Sequence, residues 1–399
     1  MYRRAAVSRI NILYLTIKGL RLNTSQQLGI YVSRFAAGGY SCHVATHKTL
    51  DDAAELARMG VGAHRVPGLR DWRRLSAVAR RPVTLWQLTR LVRRHDIHLI
   101  HSFQTSSAPH ALGLSRLTGV PHIVQFRNSY NTAGHYMRYK LHKAKVLLAL
   151  SESMMEQYVR LVGVAARPDQ RRVVIPNGID VDAYRERGQA ANVRAELHLP
   201  PDQPLIGVVG TLSSRKDPLL ALEVAGRVLR ERPDARIVFV GGFSDDGYRA
   251  QVLDRIREAK LEQACILAGY QEDPAPWFRA FDVLLHTAWR EGHPKVFNEA
   301  MVFGKPIVAA RIAGSRDVVE DGVTGYLCEP GDAGAFAKAL LALVGSPARR
   351  MEFGEAGRRR VETRFSSARS LALLDELYRQ TLGRPATAPQ ESRKTSLRV

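Results

Sequence analysis

A chain of 399 residues with 45% apolar side chains is long enough for two domains with real cores, and none of its apolar runs approaches the ~20 residues of a membrane span. Lys and Arg outnumber Asp and Glu by 59 to 38, a net charge of +21, and residues 1–186 hold 28 basic and 11 acidic side chains, which is +17 of that total. The basic half is therefore expected to face an anionic partner, and the three separated cysteines, Cys42, Cys265 and Cys328, exclude a disulfide framework and a CxxC zinc site and point to a reducing, cytoplasmic compartment.

The first residues, MYRRAAVSRINILYLTIKG, resemble a signal peptide only superficially. Their apolar stretch, 10–17, is short and interrupted by Asn11 and Thr16, and it reads as a first β-strand. Further strands are expected over 41–46, 62–67, 97–102, 121–126, 145–151 and 172–176, and a second series over 205–210, 236–241, 264–269, 282–287, 306–310 and 324–328. Continuous Val/Ile/Leu runs alternating with helical patterns mean parallel sheets covered on both faces, and two series mean two doubly wound Rossmann-like domains.

Between the third and fourth strands, residues 69–94 are Arg-rich and carry Trp72 and Trp86. On a helix Leu69, Trp72, Leu75 and Ala79 share one face, with Arg73, Arg74, Arg80 and Arg81 beside it. Two readings stand: the apolar face packs on the sheet, or the stretch lies on an anionic membrane surface. Nucleic-acid binding is set aside, since no recognised motif is present. His95, His98 and His101 straddle a helix end and a strand whose alternation separates His98 from His101, so no metal site is read there.

The break between domains is expected near 177–195, where Asn177-Gly178 signals a turn. Asp180-Val181-Asp182 spells DxD, but it follows Pro-Asn-Gly in this linker and is not assigned a metal. The resulting division is a first domain over 1–185 and a second over 186–365. A helix over 366–383 is expected to return toward the first domain, and 384–399 to be a disordered tail.

In open α/β sheets ligands bind beyond the carboxyl ends of strands, so the loops there carry the chemistry. After strand 205–210 the loop TLSSRKDP places Arg215 and Lys216 just before a helix N-terminus, an anion site with a guanidinium fork and a point charge. After strand 282–287 comes AWREGHPKVFNEAM, with Glu291 in the loop and Pro294 in the first turn of a helix over 294–303 that ends at Gly304. Glu299, low on that helix, suits a pair of ribose hydroxyls, and Glu291 the other end of the same ligand. Donors for a diphosphate and a carboxylate for a sugar describe a nucleoside-diphosphate site.

These segments resemble the retaining glycosyltransferases of the GT-B fold, family 4. The resemblance is carried by IPNGID (175–180), GTLSSRKDP (210–218) and EGHPKVFNEAMVFGKPIVAARIAGSRDVVEDGVTGYL (291–327), which contains the Glu-x7-Glu signature. ALSESMMEQYV (149–159) is similar to the family's segment ahead of its linker, and the likeness covers roughly 10–380. It implies two domains facing across a cleft. Arg215 and Lys216 would hold the diphosphate and Glu299 the ribose, with Glu291 beside the donor sugar. The backbone of Gly292, His293, Pro294, Lys295 and Val296 would offer N–H groups to phosphate and sugar, and Gly269 and Tyr270 would lie at the nucleobase.

The sequence departs from the family in three places. Thr211 stands where many members have Arg, Arg127 where many have a His beside the donor sugar, and the Gly-Gly loop after the first strand is reduced to Gly19. Arg127 and Gly19 are carried forward as candidates on the catalytic and binding side.

The activity implied is transfer of a sugar from a UDP- or GDP-sugar to a glycan or lipid-linked acceptor with retention of configuration and no metal cofactor, at the inner face of the membrane, in polysaccharide or lipopolysaccharide synthesis. A nucleotide-sugar 2-epimerase and a non-catalytic nucleotide-sugar-binding protein are the alternatives.

Overall fold

A computed structural model describes residues 9–17, 27–47, 53–70, 80–128 and 132–385. Gly19, the expected amphipathic face around Trp72 and Leu75, and the tail beyond 385 lie outside these residues. The chain divides into two compact units, one of Met1–Ala149, Tyr158–Ile175 and Leu371–Val399, the other of Leu150–Gln157 and Pro176–Ser370.

Among the described residues the first unit holds seven strands: β1 (Asn11–Leu15), β2 (Ser41–Thr46), β3 (Gly62–Arg65), β4 (Leu99–Ser102), β5 (His122–Gln125), β6 (Val146–Ala149) and β7 (Arg171–Val174). They pair in parallel in the order β3-β2-β1-β4-β5-β6-β7. Strands β4, β5 and β6 are buried at every residue, so none alternates with solvent, and β4 and β5 bury His101, Ser102, His122 and Gln125 among their apolar residues. The helix Ser367–Thr381 carries Tyr378 into this core, where its hydroxyl meets His101 Nδ1 at 2.7 Å and the Tyr14 hydroxyl at 3.2 Å.

The second unit holds β8 (Leu205–Val209), β9 (Arg236–Val240), β10 (Cys265–Gly269), β11 (Val283–His286), β12 (Ile307–Ala310) and β13 (Gly325–Cys328), again all parallel, in the order β10-β9-β8-β11-β12-β13. Each sheet starts at a central strand, winds outward and then crosses to the other side. Right-handed crossovers place helices on both faces of such a sheet.

Local chemistry sets the helix boundaries. The helix Arg81–Arg94 buries Thr84, Leu88 and Val92, a stripe spaced by four, while Val83 and Trp86 stay 58% and 60% exposed. The guanidinium of Arg90 lies 5.9 Å from the Trp86 ring. The apolar stripe thus packs inward and a second, aromatic and basic face stays in solvent. Asp180 of the DxD spelling caps the helix Val181–Arg187 by accepting from the Ala183 N–H, which is a structural use of that carboxylate.

Gly210 and Gly241 end β8 and β9 with φ of +135° and +147°, values that only glycine adopts freely. A Cβ on Gly241 would stand 2.1 Å from the Gly210 carbonyl oxygen, so the two strand ends touch backbone to backbone. Gly241→Ala is expected to lower unfolding free energy by about 2 kcal/mol or more in urea titrations. Gly226→Ala, in the helix Pro218–Glu231 with nothing within 4 Å of the new methyl, should raise it by about 0.5–1 kcal/mol.

Candidate active site

The order of the second sheet fixes where a ligand can enter. Strand β8 has β9 on one side and β11 on the other, so the chain leaves β8 and β11 in opposite directions. A crevice opens at the carboxyl ends of two such strands. The loops that follow these strands are 210–217 and 287–294, the two that carry the predicted cations and carboxylate.

Asp217 ends the first loop in a left-handed conformation (φ 51°) and caps the next helix by accepting from the Leu220 N–H. The Trp289 indole N–H donates to its other oxygen at 2.8 Å. The Thr287 hydroxyl donates to the Lys216 and Asp217 carbonyls, and the Trp289 N–H to the Arg215 carbonyl. Four hydrogen bonds therefore stitch one loop to the other, which holds residues 70 positions apart in fixed register.

Three charges meet at this seam. Glu291 Oε1 lies 2.5 Å from Arg215 Nη1 and 2.6 Å from Lys216 Nζ. Burial alone would raise the Glu291 pKa, but Lys216 and Arg215 outweigh it and hold the carboxylate below its ordinary value. His286, the last residue of β11, is buried behind them with Nε2 3.2 Å from Lys216 Nζ. Burial first and Lys216 second push its pKa down to about 3, so the ring is neutral at physiological pH and Nε2 accepts from the ammonium. Arg215 is about half exposed and Lys216 largely buried, so the guanidinium is the mobile partner and the ammonium the fixed one.

The helix Lys295–Val302 follows. Pro294 was expected in its first turn and is instead the residue before it, with extended backbone (ψ 107°). A proline there lacks the N–H that a ligand would use, so the free donors at this helix start begin at Lys295. The loop ahead is pressed against Gly314, where a Cβ would stand 2.7 Å from the Glu291 carbonyl oxygen and 2.8 Å from that of Gly292. His293 is buried, its Nε2 3.2 Å from the Asn298 amide nitrogen, which also donates to the Asn177 carbonyl at 3.1 Å. The side chain of His293 is thereby part of the support of the loop.

Glu299 is the unusual group. It is only 8% exposed, and no hydrogen bond or ion pair to its carboxylate forms among the described residues. Burial raises its pKa, with partial relief from Lys295, Arg187 and Lys216. A buried acid without a donor is costly unless something else supplies one. Lys216 acts electrostatically on both Glu291 and Glu299, so the two carboxylates share one neighbourhood.

Gly269 ends β10 at φ +69°, followed by Tyr270, which is 70% exposed and passes near Gly242. Arg127 belongs to the first unit. It is buried, its guanidinium 4.6 Å from the Phe103 ring, and burial lowers its pKa. His286, Thr287 and Trp289 were not singled out in the sequence. The signal available was their position at and just after the carboxyl end of a buried strand.

Comparison with known proteins gives two family matches: residues 189–360 match the family described as glycosyl transferases group 1, and residues 31–183 match glycosyltransferase family 4. A D-inositol 3-phosphate glycosyltransferase of Catenulispora acidiphila is 29% identical over 66% of this chain and 60% of its own length. One from Thermobispora bispora is 30% identical over 56% of this chain and 54% of its own. The matched stretch thus spans little more than half of the curated relatives' length. Among solved structures, a glycosyltransferase from Rickettsia africae superposes with a TM-score of 0.80 at 16% identity, covering 94% of this chain and 99% of that one. Anabaena HepE in complex with UDP gives 0.78 at 17% identity, covering 93% and 100%. With group 1 and family 4 segments following one another along two doubly wound parallel sheets, the chain belongs to the family 4 glycosyltransferases of the GT-B fold.

Proposed function

We propose that the chain transfers a sugar from a nucleoside-diphosphate sugar, UDP or GDP, to a hydroxyl of a glycan or lipid-linked acceptor, with retention of configuration and without a metal at the donor. The observation that carries this reading is the pairing of Arg215 and Lys216 on one carboxylate next to a second, buried carboxylate that has no partner among the described residues. A diphosphate offers two negative charges to the cations, and a ribose offers two hydroxyl donors to Glu299. Similar proteins support the donor class: Anabaena HepE has been solved with UDP, with UDP and glucose, and with UDP-glucose.

In this reading, the bond between the sugar C1 and the β-phosphate oxygen breaks and its electron pair goes to the phosphate. Arg215, Lys216 and the N–H groups from Lys295 onward stabilise the charge that develops there. The acceptor oxygen bonds to C1 on the same face, and its proton passes to the leaving phosphate. Glu291 does two things. It holds both cations in place before the donor arrives, and it stands beside the position of the sugar. Fixed cations do the work that other transferases give to a bound divalent ion, and the carboxylate keeps them from repelling each other in the empty site.

The basic first unit is the acceptor side. The exposed face of the helix Arg81–Arg94, with Trp86, Val83 and Arg90, suits an anionic membrane surface, where a lipid-linked acceptor is presented. Among the described residues no helix is long and apolar enough to cross a membrane.

The test is a panel of UDP- and GDP-sugars with membrane extract. Transferred sugar with the donor's anomeric configuration, at a rate unchanged by added Mg2+ or Mn2+, supports the reading. Isomerised free donor supports an epimerase instead, and binding without turnover a non-catalytic protein. Lys216→Ala should lower kcat by about 10²–10³-fold, as expected for loss of one preorganised charge donor. Glu299→Gln should weaken nucleoside diphosphate binding by about 1.5–3 kcal/mol in calorimetry. The same substitution should stabilise the ligand-free protein at neutral pH. The folded-state pKa of Glu299 is raised, so the folded state binds its proton more tightly than the unfolded state. Its contribution to stability is full below the ordinary Glu pKa and is lost as pH rises through the higher folded value. Chemical denaturation should therefore show Glu299→Gln gaining over the parent at pH 7 and matching it at acid pH.

A further inference from the structure

We propose that His43, His64 and His95 form a binding site for a divalent transition-metal cation of the zinc class, held by three imidazole nitrogens with water completing the shell. Spacing sets His95 beside His98 and His101 in the chain, and the fold separates the three. His98 Nδ1 accepts from the Asn11 backbone N–H and His101 is buried against Tyr378, while His95 turns toward two histidines that lie far from it in the chain.

The three residues come from separate elements of the first unit. His43 is the third residue of β2, His64 the third of β3, and His95 closes the helix Arg81–Arg94. The parallel register pairs His43 with Gly62 and Ala45 with His64, which sends both rings to the same face of the sheet. His43 Nδ1 and His64 Nε2 are 3.1 Å apart, and the His95 ring centre lies 4.4 Å and 4.9 Å from theirs. One ligand nitrogen from each residue lies within 4.8 Å of the others. A tetrahedral zinc ion with Zn–N bonds of about 2.0–2.1 Å sets its ligand nitrogens about 3.3 Å apart, which small ring rotations reach from here.

Two further features shape the site. Gly62 leaves room for the cluster, since a Cβ there would stand 2.3 Å from His43 Nδ1. The Ser41 hydroxyl lies 3.2 Å from His43 Nε2. When it accepts from Nε2–H, the lone pair of His43 is placed on Nδ1, the nitrogen that faces the other two rings. Burial first, then His95 and His64, bring His43 down to about 4; burial first, then His95 and Arg94, bring His64 down to about 4; burial and Arg94 lower His95. Neutral imidazole is the form that ligates zinc. Among the described residues no carboxylate joins the set, and the positive charge of Arg94 opposes a dication.

The location indicates a structural role. The Asn11 side chain, at the first residue of β1, donates to the His95 carbonyl, so His95 enters from the amino ends of the strands, while His43 and His64 stand within theirs on one face of the sheet. Ligands of this fold bind at the opposite ends. Strand β3 is the sheet's edge, with β2 as its only strand neighbour, and a metal shared by His43, His64 and His95 ties that edge to the sheet and to a helix end. A stack of neutral rings joined by one hydrogen bond, with no ion, is the competing description.

The experiment uses full-length, tag-free, chelator-treated protein titrated with Co2+, whose tetrahedral d–d absorption reports the site, and with Zn2+ in competition. One equivalent is expected to bind, and Zn2+ to raise the melting temperature of the parent. His64→Ala, His95→Gln and Gly62→Ala should each weaken binding by tenfold or more and remove the thermal gain, with folding checked by circular dichroism. His135→Ala, an exposed histidine outside the cluster, should bind like the parent. The absence of a stoichiometric Co2+ band and of Zn2+ binding at about 100 µM metal, or equal binding by folded cluster variants, overturns the site.

Discussion

The second unit depends on a topological constraint: a parallel strand must be reached by a crossover, and two crossovers leaving neighbouring strands in opposite directions cannot cover the gap between them. Strands β8 and β11 are that pair. Everything chemical in the unit follows from the uncovered gap. The loops after both strands are brought side by side, and Thr287 and Trp289 bond one to the other. Only within that fixed seam can Arg215, Lys216 and Glu291 come within hydrogen-bonding distance without long flexible reach.

The two glutamates of the signature show how position decides chemistry. Glu291 is surrounded by cations and its proton is driven off, while Glu299 is buried with only distant positive charge and its proton is retained more strongly. The first arrangement keeps two like charges together in an empty site. The second leaves acceptor atoms waiting for donors that a sugar carries. Neutral His286 beneath the ammonium adds an acceptor without adding charge, so the cations remain available to an incoming anion.

Much of this was legible in the sequence because it rests on local rules. Each of the thirteen expected runs corresponds to a strand within a residue or two at its ends, since most of these strands are buried on both faces and leave a continuous signature; β3 and β7, at the edges of their sheet, are more exposed. The Arg215-Lys216 and Glu291 loops were legible because a strand end followed by a helix start is a positional signal. What was not legible depended on partners distant in the chain. Pro294 reads as a first-turn residue by composition, but the loop pressed on Gly314 sets it one position earlier. His286 gave no signal because its role exists only when Lys216, 70 residues away, lies over it. The histidine cluster was missed for the same reason: His43, His64 and His95 converge through strand register, which spacing along one segment does not reveal.

The Glu299 carboxylate, which has no hydrogen-bond donor among the described residues, bears in the proposed reading on the lifetime of the protein in a cell. A nucleotide that supplies donors to this carboxylate stabilises the folded chain, which is then most stable when the nucleotide is plentiful. Degradation that samples opened molecules removes the idle enzyme faster than the working one. On that reading abundance follows donor supply with no regulator beyond the ligand itself, and the carboxylate proposed to hold a pentose also meters how long each copy survives.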